Sequence, residues 1–429
     1  MTTKHLRPSE DFPRRTMIGR VYRVDAIGEG ARGRTSFEFD ALDERVLDGV
    51  ELRQLYLSAR LKPFGLVRIM TTTARFKEVF GSVPTEGSWY RLELTPQDVA
   101  LKRAAGERLL SWHAQLTARG YTTRSRGYVT GADFLSRDGE PPLRPLSAMT
   151  AAATAARQTA IAAAQFPNFA KPKNRAVQAM LSRLPAIQSI EVHDVGQASF
   201  ATLYDAKDEP VLHFDAGWPV GFNEETIPPK APKPGDAPVV LSHWDWDHLG
   251  GYYRFPTLQA VPWIVPVQYL GYGAGRVAAR LDAAGLLRTY TGLPFAGGSL
   301  RLGLCGGTAG DKNQTGLAMR VDLPPAPGST ASTSRGVLLP GDGDYDHIPA
   351  LLTTPALHGL VVTHHGALFN GGVPLAPASG GLAIVSVGKG NHYKHPKAAA
   401  LKRHSSRGWS KIRMTQKKSG VSRGSKWFT

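Results

Sequence analysis

An apolar strand that runs straight into four ligand-type side chains limits this chain more than any other feature. Pro238-Val-Val-Leu241 leads through Ser242 into His243, Asp245, Asp247 and His248, and Leu249-Gly-Gly251 closes the run. Side chains alternate along an extended chain, so His243, Asp245 and Asp247 project to one side. The following turn brings His248 round to join them. Imidazoles and carboxylates grouped in this way can hold two divalent ions about 3.5–4 Å apart, with positions left open for water. Gly250 and Gly251 let the backbone pass close by and start the next element without a side-chain clash. The alternative is a charged turn held by its own hydrogen bonds. Trp244 and Trp246, set between the ligand types, make an odd surface loop.

The rest of the chain places that run in context. With 429 residues and 42% hydrophobic content the protein can bury a real core, and the length suits two domains. Its single cysteine, Cys305, excludes an intramolecular disulfide and any Cys-rich zinc knuckle, and fits a reducing cytoplasm. Residues 1–16 are charged and lack the apolar run of a signal peptide. No stretch of about 18 apolar residues occurs, so no membrane span is expected. The formal charge of +17 is unevenly spread. The 190–396 region is mildly acidic, with 13 Lys and Arg against 17 Asp and Glu, whereas residues 397–429 hold 10 basic and no acidic side chains. The part before Ile190 is also basic, so positive charge flanks the ligand run on both sides. That distribution favours a polyanion such as nucleic acid, although a basic tail can also serve solubility alone.

Four sections follow from pattern. Residues 1–146 read as an α+β or β-rich binding or regulatory domain. Strand-like segments occur at Tyr22–Ala26, Thr35–Ala41, Val67–Thr72 and Trp89–Leu94. Pro96–Gly120 carries helical spacing at Leu101, Leu109, Leu110 and Leu116. Residues 147–187 read as a helical linker, with the Ala-rich Ala148–Gln165 its best helix. Residues 188–396 alternate short apolar strands with Gly-rich turns, and 397–429 read as a basic tail ordered by a partner. Eleven of the 13 histidines fall between His193 and His404.

The ligand run resembles the metallo-β-lactamase superfamily signature, with Asp245 where that signature usually has its second histidine. This variant is similar to the soluble nuclease-like domain of ComEC-type DNA-uptake proteins and their free-standing relatives. Six further blocks resemble the family in the expected order: Val192-His-Asp-Val-Gly-Gln197, Leu212-His-Phe-Asp-Ala-Gly217, Gly310-Asp-Lys-Asn-Gln-Thr315, Val337-Leu-Leu-Pro-Gly-Asp342, Val361-Val-Thr-His-His-Gly366 and Ser386-Val-Gly-Lys-Gly-Asn-His-Tyr-Lys-His-Pro396. Ala198 and Ser199 depart from the usual residues after the first of these. The resemblance covers about half the chain and leaves residues 1–185 unassigned. It implies an α/β fold for 188–396, an αββα sandwich of two sheets with helices outside.

The resemblance also implies a binuclear metal site. His243 and Asp245 would serve one ion, Asp247 and His248 the other, and Asp342 would bridge them. A water between the ions, its pKa lowered, would be the nucleophile, making Asp247 part of the catalytic set. Asp245 in place of an imidazole hardens the site toward Mn²⁺ or Mg²⁺, with Zn²⁺ also compatible. His364 and His365 follow a strand, so one is expected to face the site and the other the core. The site member would be a ligand or a general acid. His395 is a candidate ligand or phosphate contact. Lys389 and Asn391 lie in a Gly-bounded loop able to meet a phosphate, or simply to be solvated. Asn313 is a candidate substrate contact or a turn cap. Asp194 and Asp215 read as loop-holding carboxylates, and His193 and His213 as core residues.

The favoured expectation is a metal-dependent nuclease acting on nucleic acid, with a protein partner also able to dock on residues 1–185. Hydrolysis of a small ester, lactone or nucleotide is the second reading, because the fold hosts many chemistries. A metal-stabilised binding module without turnover is the third. A soluble two-part nuclease would suit bacterial defence against foreign DNA, although no motif speaks for that role.

Overall fold

The computed structural model describes residues 15–27, 34–44, 57, 64–81, 83–96, 110–116, 123–137, 172–219, 221–308, 310–325, 334–378, 380–416 and 423–429. The chain divides into two compact units, Met1–Asn168 with Tyr269–Arg280, and Phe169–Gln268 with Leu281–Thr429.

The first unit is a closed barrel. Its strands are β1 (Arg15–Ile27), β2 (Arg34–Asp43), β3 (Phe64–Thr71), β4 (Ser88–Pro96), β5 (Leu110–Leu116) and β6 (Thr123–Arg137), hydrogen-bonded in the order β1-β2-β3-β5-β6-β4. Alternation makes the interior: Phe37, Phe39 and Ala41 of β2 point inward with Met17, Val21, Val67, Ile69, Tyr90, Leu92 and Leu94. Helix Thr73–Phe80 adds Phe76, whose ring meets Phe37 at 4.8 Å between centroids. The other register of β2 carries polar groups, among them Asp40, which accepts from the amides of Gly273 and Ala274. Those amides open helix Tyr272–Ala283, where a carboxylate meets the positive end of the helix dipole. The four strand-like segments read from sequence fall in barrel strands, except that Thr72 lies one residue past β3 and caps helix Thr73–Phe80.

Within Pro96–Gly120 the expected helix gives way to a strand. Leu110–Leu116 is strand β5, paired with β3 and β6. Leu-Ser-Trp-His-Ala-Gln-Leu alternates apolar and polar residues, and barrel closure selects that period-two pattern over the helical spacing. The proposed helix Ala148–Gln165 lies outside the described residues.

The second unit is the expected α/β sandwich. One sheet runs β12 (Leu287–Tyr290), β11 (Trp263–Pro266), β10 (Val239–Val240), β9 (Pro210–Phe214), β8 (Ala201–Tyr204), β7 (Ser189–Val192), β20 (Lys426–Phe428). The other runs β13 (Phe295–Gly297), β14 (Leu300–Leu304), β15 (Leu317–Leu323), β16 (Arg335–Leu339), β17 (Leu357–Val361), β18 (Leu382–Val385), β19 (Lys411–Met414). The sheets meet through one core: Ile190, Leu203 and Val240 from the first pack with Met319, Val337 and Ile384 from the second. Helix Asn174–Leu181 buries Val177 and Leu181 against it. The far side of the second sheet has its own apolar layer, where Leu338 and Ala383 meet Leu352 and Ala400 from helices Ala350–Thr353 and Ala398–Ser405.

Within each sheet one half is parallel. Strands β9 to β12 run parallel, as do β16 to β19. Side chains that follow β9, β10, β16 and β17 therefore leave at carboxyl ends, where open α/β sheets present ligand sites. The last 33 residues, read from sequence as a basic tail, include a helix and an edge strand of each sheet. Trp409 and Phe428 are buried there, so apolar anchors spaced between the lysines and arginines hold the segment in the fold.

Candidate metal centre

Strand β10 ends at Val240, and the chain turns through Ser242 and His243 into the one-turn helix Trp246–Leu249. His243, Asp245, Asp247 and His248 are all buried along this turn. Trp244 and Trp246 explain how a polar run can be buried at all. Both rings are inside, and the Trp244 indole donates to the Pro266 carbonyl at 3.0 Å, so they serve as wedges in the fold.

Three histidines are oriented by what their Nδ1 atoms meet. His248 Nδ1 lies 2.8 Å from Asp215 Oδ2. His243 Nδ1 lies 3.0 Å from Ser242 Oγ, and that hydroxyl donates to Asp215 Oδ2 at 3.0 Å. His365 Nδ1 lies 2.8 Å from the Ser386 carbonyl, which can only accept, so this nitrogen carries the proton. In each ring Nε2 is buried, and among the described residues no well-directed hydrogen bond satisfies it. Imidazole metal ligands are arranged in this way, with one nitrogen tied to an oxygen and the other left with its lone pair exposed.

Carboxylates meet the Nε2 atoms. Asp342, in the loop after β16, places Oδ1 3.1 Å from His248 Nε2 and Oδ2 3.9 Å from His243 Nε2. Asp247 Oδ2 lies 3.4 Å from His365 Nε2. Donor atoms of His243, His248 and Asp342 fall within 4.8 Å of one another, and so do those of Asp247, His248 and His365. His248 belongs to both groups. Burial pushes the Asp342 carboxyl up, but the adjoining His248, His364 and His365 outweigh it and hold the carboxyl well below its usual range. Burial acts against charge on His248 too, and Asp342 and Asp215 more than offset that.

The His-His pair departs from expectation. Alternation would send one ring to the core, yet both approach a carboxylate: His364 Nε2 is 3.5 Å from Asp342 Oδ2 and His365 Nε2 is 3.4 Å from Asp247 Oδ2. The strand ends at Val361, and both histidines take left-handed backbone, with φ of 47° and 53°. Such residues cost about 1–3 kcal/mol each and persist where the surroundings hold them. Here they turn two consecutive rings toward one region.

Other sequence candidates fall elsewhere. Asp245 lies outside both donor groups. Its Oδ1 pairs with Lys312 Nζ, while Oδ2 is 3.5 Å from His243 Nε2. Burial drives its pKa up, and Lys312 and His243 pull it below the ordinary carboxylate range. His395 is also outside both groups, and its ring packs edge-on against His364 at 5.7 Å. Asn391 uses its side chain to close its own loop. Nδ2 donates to the Gly388 and His395 carbonyls, and Oδ1 accepts from the His395 amide. These bonds all stay within the loop. Lys389 is exposed in the same loop. Asn313 is half-buried in a 3-10 turn, with Oδ1 lacking a hydrogen-bond partner among the described residues.

Two important residues carry little weight in the sequence reading. Asp215 reads as a loop carboxylate, yet it orients two of the histidines. The Asp-Ala-Gly turn after β9 is its only local signal. Lys312 lies in the Gly310–Thr315 block, where local sequence gives it no role, because its partner Asp245 is 67 residues away.

No family model and no curated protein matches this chain. Among solved structures, the crystal structure of zinc-bound PqqB from Methylobacterium extorquens is similar over 56% of this chain and 99% of its own length, at 11% identity and a TM-score of 0.30.

Proposed function

We propose that the second unit is a metal-dependent hydrolase of the metallo-β-lactamase superfamily and that its substrate is a phosphodiester in nucleic acid. The observation that carries the metal reading is the convergence of three buried Nε2 atoms, from His243, His248 and His365, on Asp247 and Asp342. These five side chains would hold a divalent cation. Their chemistry fits one: each ring has its Nδ1 tied to an oxygen and its Nε2 turned to a carboxylate, and a cation would take the place of the proton that Asp342 and Asp215 favour on His248.

A divalent ion bound there supplies Lewis acidity toward a phosphoryl oxygen and lowers the pKa of a water. The chain supplies the rest. Asp215 and Ser386 fix the rings, so the donors meet substrate with little reorganisation. His364 keeps about a fifth of its side chain exposed and leans on Asp342, a position suited to hold a proton for the departing oxygen. Lys389, exposed beside this region in sequence, would contact the phosphodiester backbone.

The choice of nucleic acid rests on the seven ordered motif blocks, their similarity to the ComEC-type nuclease-like domain, and the basic flanks of the chain. The direct test incubates wild type and His365→Ala with labelled single- and double-stranded DNA and RNA, in Mn²⁺, Mg²⁺ or Zn²⁺. Cleavage by wild type alone is expected. Intact nucleic acid with every metal, in protein that still retains the ion by elemental analysis, would refute the nuclease reading in favour of a small-molecule ester or nucleotide substrate. Polyanion affinity should also fall steeply with salt, and a flat response points the same way.

A further inference from the structure

A binuclear arrangement requires Asp245 and His243 to face a cation of their own. The position beside Asp245 is already taken by one. Lys312 Nζ pairs with Asp245 Oδ1, and both side chains are about 95% buried. The ammonium is not on a loose arm. Gln268 Nε2 donates to the Lys312 carbonyl at 2.7 Å and to Thr315 Oγ1 at 3.0 Å, while Gln268 Oε1 accepts from the Trp244 amide. One glutamine thus clamps the lysine turn to the residue preceding Asp245. Thr315 Oγ1 and the Gln314 amide, both bonded to Asp311, brace the same turn.

An ammonium and a divalent ion cannot share one buried carboxylate without strong repulsion, because the low-dielectric surroundings screen it poorly. The remaining donors point to a single locus. His243, His248 and Asp342 form one group, Asp247, His248 and His365 the other, and His248 is common to both. We infer that this site takes one divalent ion, at the His248 locus, and that Lys312 stands in for the second as a tethered cation able to meet a phosphoryl oxygen. The inference rests on the metal reading above. It adds that the second positive charge is built into the chain and survives chelation.

Counting bound metal tests it apart from turnover. Wild type, Lys312→Met and Lys312→Arg are dialysed to equilibrium against Mn²⁺ and, separately, Zn²⁺, and metal per chain is measured. Wild type and Lys312→Arg should hold one ion, and Lys312→Met two, because Asp245 loses its ammonium partner and becomes available as a ligand. Two ions in wild type, or one in folded Lys312→Met, would overturn the inference while leaving the metal reading intact. No ion in wild type would instead sink the metal reading itself. Should Lys312→Met fail to fold, anomalous scattering from Mn²⁺-loaded wild-type crystals decides. One peak at His248 with Lys312 on Asp245 supports the inference, and a second peak at Asp245 refutes it.

Discussion

Two buried histidine clusters lie in the same sandwich and differ in what surrounds them. At the first, His193 Nε2 and His213 Nδ1 both meet the Thr202 hydroxyl, at 2.6 and 2.9 Å. Phe200 packs edge-on against both rings, and Glu191 is the carboxylate paired with His193. Burial, with His193 adding to it, pushes His213 down to about 3. At the second, Asp215, Asp245, Asp247 and Asp342 surround His243, His248 and His365. Burial without an adjoining carboxylate, as at His213, thus makes a histidine a neutral core residue. Burial among carboxylates, with Nδ1 tied down, makes it ready for a cation.

The largest expected effect separates the clusters by metal. An ion at a thousand times its dissociation constant adds about 4 kcal/mol, or roughly 10 °C in Tm for a domain of this size. That shift should vanish in Asp342→Asn and His365→Ala and persist in His213→Gln. Thermal melts with and without Mn²⁺ read it directly, and a lost shift in His213→Gln would erase the distinction.

Next comes Asp215→Asn, which keeps the shape but weakens the acceptor that orients His248 and, through Ser242, His243. Removing such a support should lower ion affinity about 10–100-fold. Metal titration followed by activity would show it, and unchanged affinity would return Asp215 to a purely structural role.

Acid should act on the first cluster through His213. Its folded pKa lies below the unfolded value, so between pH 6.5 and about 3 the unfolded chain binds the extra proton. Stability from this group is therefore complete above pH 6.5 and declines as pH falls, by about 2 kcal/mol at pH 5. Denaturant midpoints across pH 4.5–7.5 should show a flatter slope in His213→Gln than in wild type.

The smallest effect is expected outside both clusters. Lys389→Ala should weaken nucleic-acid binding and lower the salt slope by about 1. Turnover at saturating substrate should hold. A fall in kcat instead would give Lys389 a role in the chemistry.

Local sequence reaches far where the signal is periodic or contiguous. The four barrel strands read from Tyr22–Ala26, Thr35–Ala41, Val67–Thr72 and Trp89–Leu94 are legible because alternation is written in adjacent residues. Leu110–Leu116 was open to two periods, and only pairing with β3 and β6 selects one. The last 33 residues read as solvated because charge dominates composition, whereas two strand pairings and buried Trp409 and Phe428 decide their place.

The site divides the same way. Residue order is enough to show that a strand delivers His243, Asp245, Asp247 and His248 together, and that Asp342 and the His364–His365 pair follow other strands. Which of them meet depends on the packing of the two sheets. The left-handed turn aims both histidines, Asp215 and Ser386 fix the ring protons, and Lys312 reaches Asp245 from 67 residues away. A side chain's type is local, whereas its protonation and its partner depend on which strand ends the two sheets bring together.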